Sequence, residues 1–136
     1  MPKLGYIFGM SENIKTTILI VDDNQDAADT LAILIRNAGH EALVAYDTES
    51  GIALANTSLP DFIFYDVAMP YVDGYEAARR LRRSEKFAKT ILIAVTPDGA
   101  PEDCKRAKLA GFDWHMTKPV YFDDLMEMLS RSSRPH

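Results

Sequence analysis

A chain of 136 residues, 47% of them hydrophobic and 26% charged, has the size and composition of one globular domain with its own core. Its net charge of −5 disfavours a nucleic-acid-binding surface, and its one cysteine excludes an internal disulfide and a multi-cysteine metal site. No apolar run approaches the roughly 20 residues of a membrane helix, and a single thiol fits a reducing compartment, so we expect a cytoplasmic protein.

The two ends of the chain are predicted to lie outside this domain. The N-terminal stretch MPKLGYIFGM has one lysine, a short apolar patch interrupted by glycines and no small-residue cleavage site, which is not the pattern of a signal peptide. We expect residues 1–16 to form a flexible extension, with a segment that docks on a partner as the alternative. Residues 17–132 are expected to form the domain, and residues 133–136 a short tail.

Five apolar runs alternate with helical patterns along the chain. The runs are TILIV (17–21), ALVAY (42–46), FIFY (62–65), ILIAV (91–95) and a weaker FDWHM (112–116). Short continuous apolar runs are typical of strands buried on both faces. The fivefold alternation predicts an α/β fold with a five-stranded parallel sheet, doubly wound as (βα)5 with helices on both faces.

The first two helices have clear boundaries. The first is marked by one apolar face at spacings of four, three and four: Ala27, Leu31, Leu34 and Ala38. Gly39 follows as a helix stop. Asp47 or Thr48 is expected to cap the second helix, which ends near NTSLP.

Three further helices are predicted from periodicity. The third covers about residues 73–86, and its RRLRR run (79–83) is interpreted as a solvated face. Its inward residues are expected to be Tyr75, Ala78 and Leu81. The fourth covers Pro101–Ala110, where Cys104 is interpreted as a packing or surface residue. The fifth covers about residues 122–132, with a core stripe of Leu125, Met128 and Leu129.

An acid pair directly after the first apolar run is the first of several polar groups at strand ends. Carboxyl ends of parallel strands meet at one edge of the sheet, where ligands bind in open α/β folds. The residues expected there are Asp22, Asp23, Asp66, Thr96 and Lys118. Clustered carboxylates repel each other unless a cation lies among them, and Mg²⁺ prefers oxygen ligands. The acid pair is therefore interpreted as half of a divalent cation site.

The same set suggests phosphoryl chemistry. A metal beside Asp66 would neutralise an incoming phosphate, which makes this carboxylate a candidate acceptor. Lys118 adds a positive charge, and Thr96 offers a hydroxyl to a phosphoryl oxygen. Each residue alone is weak evidence, because Asp and Thr commonly cap strand ends and a single lysine is usually at the surface. The five together, in this order, indicate a site.

This combination closely resembles the receiver domains of two-component response regulators. The resemblance covers about residues 17–131 and depends on VDDN, DVAMPYVDGYEAARRLR, AVT and KPV. It implies a flavodoxin-like receiver fold and a cis Lys118–Pro119 peptide bond. The roles that it implies are phosphoacceptor for Asp66, metal ligand for Asp23, Asp66 and the backbone oxygen of Ala68, water-mediated metal ligand for Asp22, phosphoryl contact for Lys118 and Thr96, and switch hydroxyl for Thr96.

The resemblance implies a phosphorelay protein in signal transduction. Such proteins take a phosphoryl group from a histidine kinase or a phosphotransfer protein, with Mg²⁺ as cofactor. The only reactions that this chain would catalyse are transfer of the phosphoryl group to its own aspartate and the later hydrolysis of that group. We therefore do not expect an enzyme acting on other substrates. We expect the fourth helix, fifth strand and fifth helix to bind a downstream protein target, with no nucleic acid and no membrane insertion.

Three positions depart from the family pattern. Pro97 follows the switch threonine, where a small residue usually gives its N–H to the phosphoryl group, and proline has no N–H; the N–H of Asp98 is the alternative donor. The switch aromatic position falls on His115, which either rotates inwards or is an ordinary surface residue. Ala68, two residues after the acceptor, has no side chain to orient or block an attacking water.

Other functions are weighed against this one. Pro97 keeps open a pseudo-receiver that binds a partner without phosphorylation, although the acidic residues, Thr96 and Lys118 oppose it. An aspartate-nucleophile phosphatase of the haloacid dehalogenase type would need a second acid at Ala68. A flavin-binding module would need a hydroxyl- and glycine-rich loop, where this chain has the acidic DDNQDAAD. The chain fits either a stand-alone receiver or the excised receiver of a hybrid histidine kinase.

Overall fold

The five predicted strands form one parallel sheet. The computed structural model describes residues 16–69, 73–97 and 101–131. The strands are β1 (Thr17–Val21), β2 (Glu41–Ala45), β3 (Phe62–Asp66), β4 (Ile91–Thr96) and β5 (Trp114–Thr117). Their order in the sheet is β2-β1-β3-β4-β5, with every neighbouring pair parallel. The α/β prediction is confirmed, and all five carboxyl ends meet at one edge.

Five helices cover the two faces of the sheet. They are α1 (Gln25–Asn37), α2 (Thr48–Ser58), α3 (Gly74–Arg82), α4 (Pro101–Ala110) and α5 (Phe122–Leu129), with a 3₁₀ turn at Glu85–Phe87. One apolar cluster joins strand residues such as Leu19, Ile63 and Leu92 to α2, α3 and α4. A second cluster on the opposite face joins Ile20 and Phe64 to α1 and α5. The fold is therefore doubly wound, as predicted.

Side-chain caps fix where the first three helices begin. The carboxylate of Asp47 accepts from Ser50 N–H at 2.8 Å, which confirms it as the cap of α2. Asn24 caps α1, and Asp73 caps α3 by accepting from Tyr75 N–H at 2.9 Å. Gly39 has φ +96 directly after α1, the left-handed conformation that favours glycine. The expected helix stop is confirmed.

Several predicted boundaries need correction. Strand β2 begins and ends one residue earlier than its apolar run, and β5 is shifted towards Thr117. Helix α3 ends at Arg82 because Ser84 has extended backbone angles (φ −100, ψ 127), after which the 3₁₀ turn buries Phe87. Helix α5 ends at Leu129, because its last turn closes with Ser130 N–H bonding back to the carbonyls of the final turn.

Two face assignments also change. The inward residues of α1 are displaced by one position from the predicted face: Ala28, Ala32 and Ile35. Ala27 is exposed, while Leu31 and Leu34 lie at the margin of the buried stripe. The arginine run is not a uniform solvated face, because the side chain of Arg82 is only 14% exposed and pairs with Asp113. The predicted inward residues of α3 are confirmed as buried.

The described ranges leave some predictions untested. Residues 1–15, 70–72, 98–100 and 132–136 lie outside them, so the proposed extension, the tail and the exact limits of the domain stay predictions. Among the residues that the structure describes, no helix is long and apolar enough to cross a membrane.

Candidate functional site

Three carboxylates converge at the carboxyl edge of the sheet. Asp22 follows β1 and Asp66 ends the adjacent β3, so the pairing of these strands brings the two side chains together. One oxygen each from Asp22, Asp23 and Asp66 lies within 4.8 Å of the other two. Asp22 is 7% exposed and Asp66 4% exposed, whereas Asp23 faces solvent. The structure therefore brings the predicted acidic residues into one cluster.

The Lys118 ammonium enters this cluster from the loop after β5. Its Nζ lies 2.8 Å from Asp66 Oδ2 and 3.9 Å from Asp22 Oδ2. The backbone N–H of Lys118 donates to the carbonyl of Thr96 at 2.8 Å, which fixes the loop against the end of β4. The Lys118–Pro119 peptide bond is cis, as predicted.

Backbone donors orient the two buried carboxylates. The N–H of Asn24 donates to Asp22 Oδ1 at 2.9 Å, and the N–H of Ala68 donates to Asp66 Oδ1 at 2.9 Å. Each donor lies two residues after its acceptor, a local arrangement in which the chain turns back on the aspartate. The second oxygen of each carboxylate points towards Lys118. Both aspartates are therefore held in fixed orientations by their own loops.

The cluster is short of positive charge. Within the described part of the chain, Lys118 is the cation that contacts this cluster of three carboxylates, and its ion pairs are with Asp66 and Asp22. Burial raises the pKa of Asp22 to about 6; the Asn24 N–H opposes the rise and the neighbouring Asp66 adds to it. Carboxylate oxygens are the ligands that hard cations such as Mg²⁺ prefer. The donor set therefore fits a divalent cation of this kind.

The predicted switch residue Thr96 and two of the predicted modulating residues, Ala68 and Pro97, follow or end strands at the same edge of the sheet. Thr96 is the last residue of β4 and is only 2% exposed, whereas the Pro97 ring is exposed. Ala68 is also exposed and presents only a methyl group. Asp98, the alternative N–H donor, lies outside the described residues. The functional roles of these residues stay predictions, because their positions alone do not test them.

His115 lies apart from the carboxylates and makes a contact that the sequence did not predict. It pairs with Ala94 in the β4–β5 register, two positions before the Thr96–Thr117 pair. Its exposed ring places Nε2 3.1 Å from the Sγ of Cys104 on α4. No sequence pattern links these two residues, because their contact depends on how α4 packs against β5.

A cavity of about 680 Å³ opens beside the carboxylates. It is bounded by α1 on one side and by the loop after β5 on the other. Its wall includes the apolar side chains of Leu31 and Val120, and its rim includes Asp66 and Lys118. The cluster is therefore reachable from solvent along a partly apolar surface.

Comparison with known proteins identifies relatives over most of the chain. The sequence profile of the response regulator receiver domain matches residues 18–130. The DNA-binding dual master transcriptional regulator RpaA of Synechocystis is 37% identical over 114 residues, covering 84% of this chain and 46% of RpaA. Protein PilH of Pseudomonas aeruginosa is 31% identical over 113 residues, covering 83% of this chain and 93% of PilH. The chain thus spans less than half of RpaA and nearly all of PilH.

Solved structures share the same architecture. The chemotaxis response regulator CheY4 of Vibrio cholerae superposes with a TM-score of 0.82 at 26% sequence identity. The superposition covers 88% of this chain and 99% of the CheY4 chain.

Proposed function

This chain belongs to the response regulator receiver domains, and from that premise we propose that it accepts a phosphoryl group on Asp66 from a phosphohistidine. The observation that supports the proposal most directly is the cluster itself, in which a buried carboxylate at a strand end contacts Lys118 at 2.8 Å. The protein then acts as a signalling component of a two-component phosphorelay, passing on its phosphorylation state through a change in its binding surface.

The transfer step uses the carboxylate oxygen of Asp66 as nucleophile. This oxygen attacks the phosphorus of the donor, an O–P bond forms as the N–P bond to the donor histidine breaks, and the histidine nitrogen leaves with the electron pair. The backbone N–H of Ala68 holds Asp66 in a fixed orientation during the attack. Later hydrolysis of the acyl phosphate returns the free carboxylate, so the chain acts catalytically only on itself.

Other residues of the chain act on the phosphoryl oxygens. Lys118 supplies a positive charge that is already directed at Asp66, and Thr96 supplies a hydroxyl at the end of the adjacent strand. Mg²⁺, held by Asp23, Asp66 and the backbone oxygen of Ala68, and through water by Asp22, would offset the negative charge that the phosphoryl group brings. Because Ala68 has only a methyl side chain, it leaves the path of an attacking water open.

We assign the upstream partner to a histidine kinase or a phosphotransfer protein in the cytoplasm. The cavity beside Asp66 supports this assignment, because a donor histidine must approach the carboxylate and the apolar wall offers a surface for its carrier. The downstream partner is proposed to bind the surface formed by α4, β5 and α5, which connects to the site through Thr96 and His115. Both a stand-alone receiver and the receiver of a hybrid kinase fit these contacts.

The acceptor assignment is tested by intact mass after incubation with a small-molecule phosphodonor and Mg²⁺. The wild-type chain should gain the mass of one phosphoryl group. Asp66→Asn, or removal of the metal with a chelator, should abolish this gain. Asp123→Asn, which removes an exposed carboxylate from α5, is the matched control and should be phosphorylated normally. Stable phosphorylation of the Asp66→Asn variant would refute the assignment, and a wild-type chain that gains no phosphoryl mass would favour the pseudo-receiver that Pro97 suggests.

The signalling surface is tested by amide chemical shifts. Phosphorylation should move the signals of residues 97–131 more than those of α2, around residues 48–57. The physical reason is that Thr96 and His115 lie at the base of the first region, whereas α2 packs on β1 and β2. Equal or larger shifts in α2 would remove the argument for the α4–β5–α5 surface.

A further inference from the structure

Helix α4 is attached to the rest of the domain by few apolar contacts. Its buried residues are two alanines, Ala107 and Ala110, and the largest apolar side chain of the helix, Leu109, is 83% exposed. Two methyl groups remove little apolar surface from water compared with the buried Ile35 of α1, Leu81 of α3 and Leu125 of α5. Polar contacts are therefore expected to contribute to the position of α4.

Two such contacts involve described residues. The guanidinium of Arg106 lies over the ring of Tyr75 on α3, with Cζ 4.2 Å from the ring centroid. The Sγ of Cys104 lies 3.1 Å from Nε2 of His115 on β5. Depending on the histidine tautomer, either the thiol donates to Nε2 or the Nε2–H donates to sulfur. The second contact joins α4 directly to the residue at the predicted switch position.

We propose that Cys104 and His115 form a latch that holds the His115 ring against α4 in the unphosphorylated protein, and that this latch opens when the domain responds to phosphorylation. The proposal rests on the proposed function, since phosphorylation of Asp66 is the event that opens the latch. The contact holds the exposed His115 ring against α4, so a rotation of the ring that moves Nε2 away from Cys104 breaks it. The pair therefore favours the inactive state by the free energy of that contact.

The latch predicts how substitutions change binding of a phosphoryl mimic. A ligand that binds the active state more tightly gains affinity when a contact specific to the inactive state is removed. Cys104→Ala should therefore bind beryllofluoride with Mg²⁺ about two- to tenfold more tightly, the range given by one uncharged hydrogen bond. His115→Ala should have a similar effect, and the double variant should bind no more tightly than either single one. Leu109→Ala, an exposed change on the same helix, is the matched control and should bind as the unmodified chain does.

Thiol reactivity gives a second readout, because Cys104 is the single cysteine of the chain. In the wild-type protein, beryllofluoride with Mg²⁺ should change the rate at which Ellman's reagent labels the thiol, because opening the latch removes the hydrogen bond between the sulfur and the imidazole. The Asp66→Asn variant should show no such change. Trp114, the single tryptophan and the neighbour of His115, reports mimic binding by fluorescence in the same samples.

Intact mass after incubation with a small-molecule phosphodonor distinguishes failure of the latch from failure of the proposed function. If the wild-type chain gains the phosphoryl mass but Cys104→Ala binds the mimic with the same affinity as wild type, the latch is refuted and the proposed function is retained. If both single variants bind more tightly but their effects add fully in the double variant, the two residues act independently and the latch is refuted as well. If no preparation gains the phosphoryl mass, the proposed function fails and the latch fails with it.

Discussion

Asp66 and Asp113 are buried to nearly the same degree at opposite edges of one sheet, with side chains 4% and 3% exposed, but their surroundings differ. Asp113 precedes β5 at the amino edge, where its Oδ2 accepts from Arg82 at 2.6 Å and from the N–H of Leu92 at 2.9 Å. Asp66, at the carboxyl edge, has to share the Lys118 ammonium with Asp22.

The cation at the amino edge is also fully engaged. Besides Asp113, Arg82 donates from Nε to the carbonyl of Gly111 at 2.9 Å and from Nη1 to the carbonyl of Phe87 at 2.7 Å. One buried anion thus meets one well-bonded cation, which joins α3, β4 and β5. At the carboxyl edge of the described structure, three carboxylates lie together and the Lys118 ammonium contacts two of them, and burial raises the pKa of Asp22. Matched charge at one edge stabilises the fold, while unmatched charge at the other leaves a place for a ligand.

The largest expected effect comes from making the same substitution at each edge. Asp113→Asn removes the anion but leaves the Arg82 charge buried, so it should lower the free energy of unfolding by about 3 kcal/mol. Asp66→Asn removes one of several repelling carboxylates, so in metal-free buffer it should change stability by no more than about 0.5 kcal/mol, or increase it. Urea denaturation at neutral pH measures both values.

Unfolding free energies that differ from these expectations would revise the interpretation of one edge or the other. If Asp113→Asn proved as mild as Asp66→Asn, the Arg82 pair would contribute little and the contrast between the edges would be wrong. If Asp66→Asn proved as costly as Asp113→Asn, the acidic cluster would be part of the structural framework of the fold.

The same contrast explains what the sequence could predict. Strand-end residues such as Asp22 and Asp66 follow uninterrupted apolar runs, and strand order alone places them together, so the acidic cluster is predictable from the sequence. The Arg82 pair is not, because within RRLRR only the rotation of α3 and its end at Arg82 distinguish this arginine from its exposed neighbours. Contacts between side chains on different elements, such as Cys104 with His115, depend on packing that periodicity does not encode.

The next effect concerns how stability depends on pH in the absence of metal. Unfolded Asp22 loses its proton near 3.8, whereas in the folded protein it keeps the proton until about 6, because burial raises its pKa. Between these values the folded state binds more protons than the unfolded state, so raising the pH destabilises the fold. The resulting penalty is absent below pH 3.8, develops up to about pH 6 and then stays constant, at an order of magnitude of about 3 kcal/mol.

Asp22→Asn removes this titrating carboxyl and leaves the charged groups outside the cluster unchanged. The difference in unfolding free energy between Asp22→Asn and the unmodified chain, measured in chelator, should grow in favour of the variant from about pH 4 to about pH 6.5. Asp123→Asn, at an exposed position, should show no such trend. A difference that is independent of pH would mean that Asp22 ionises in the folded protein as it does in the unfolded one.

The smallest expected effect concerns backbone N–H donors beside the acidic cluster. It tests whether they contribute to binding of a phosphoryl group as much as the charges of Lys118 and the metal do. Pro97 has no N–H, so under the proposed function a phosphoryl group on Asp66 would lack one backbone donor that the family pattern supplies. A charge-assisted hydrogen bond contributes roughly 1.5–3 kcal/mol, but the exposed position of Pro97 lets water replace part of it. Pro97→Ala should restore the donor and tighten beryllofluoride binding several-fold, which corresponds to about 1 kcal/mol of coupling. Pro101→Ala, at the start of α4, is the matched control. If Pro97→Ala binds the mimic no more tightly, another donor such as the N–H of Asp98 already completes the set, and the response is governed by the charges of Lys118 and the metal alone.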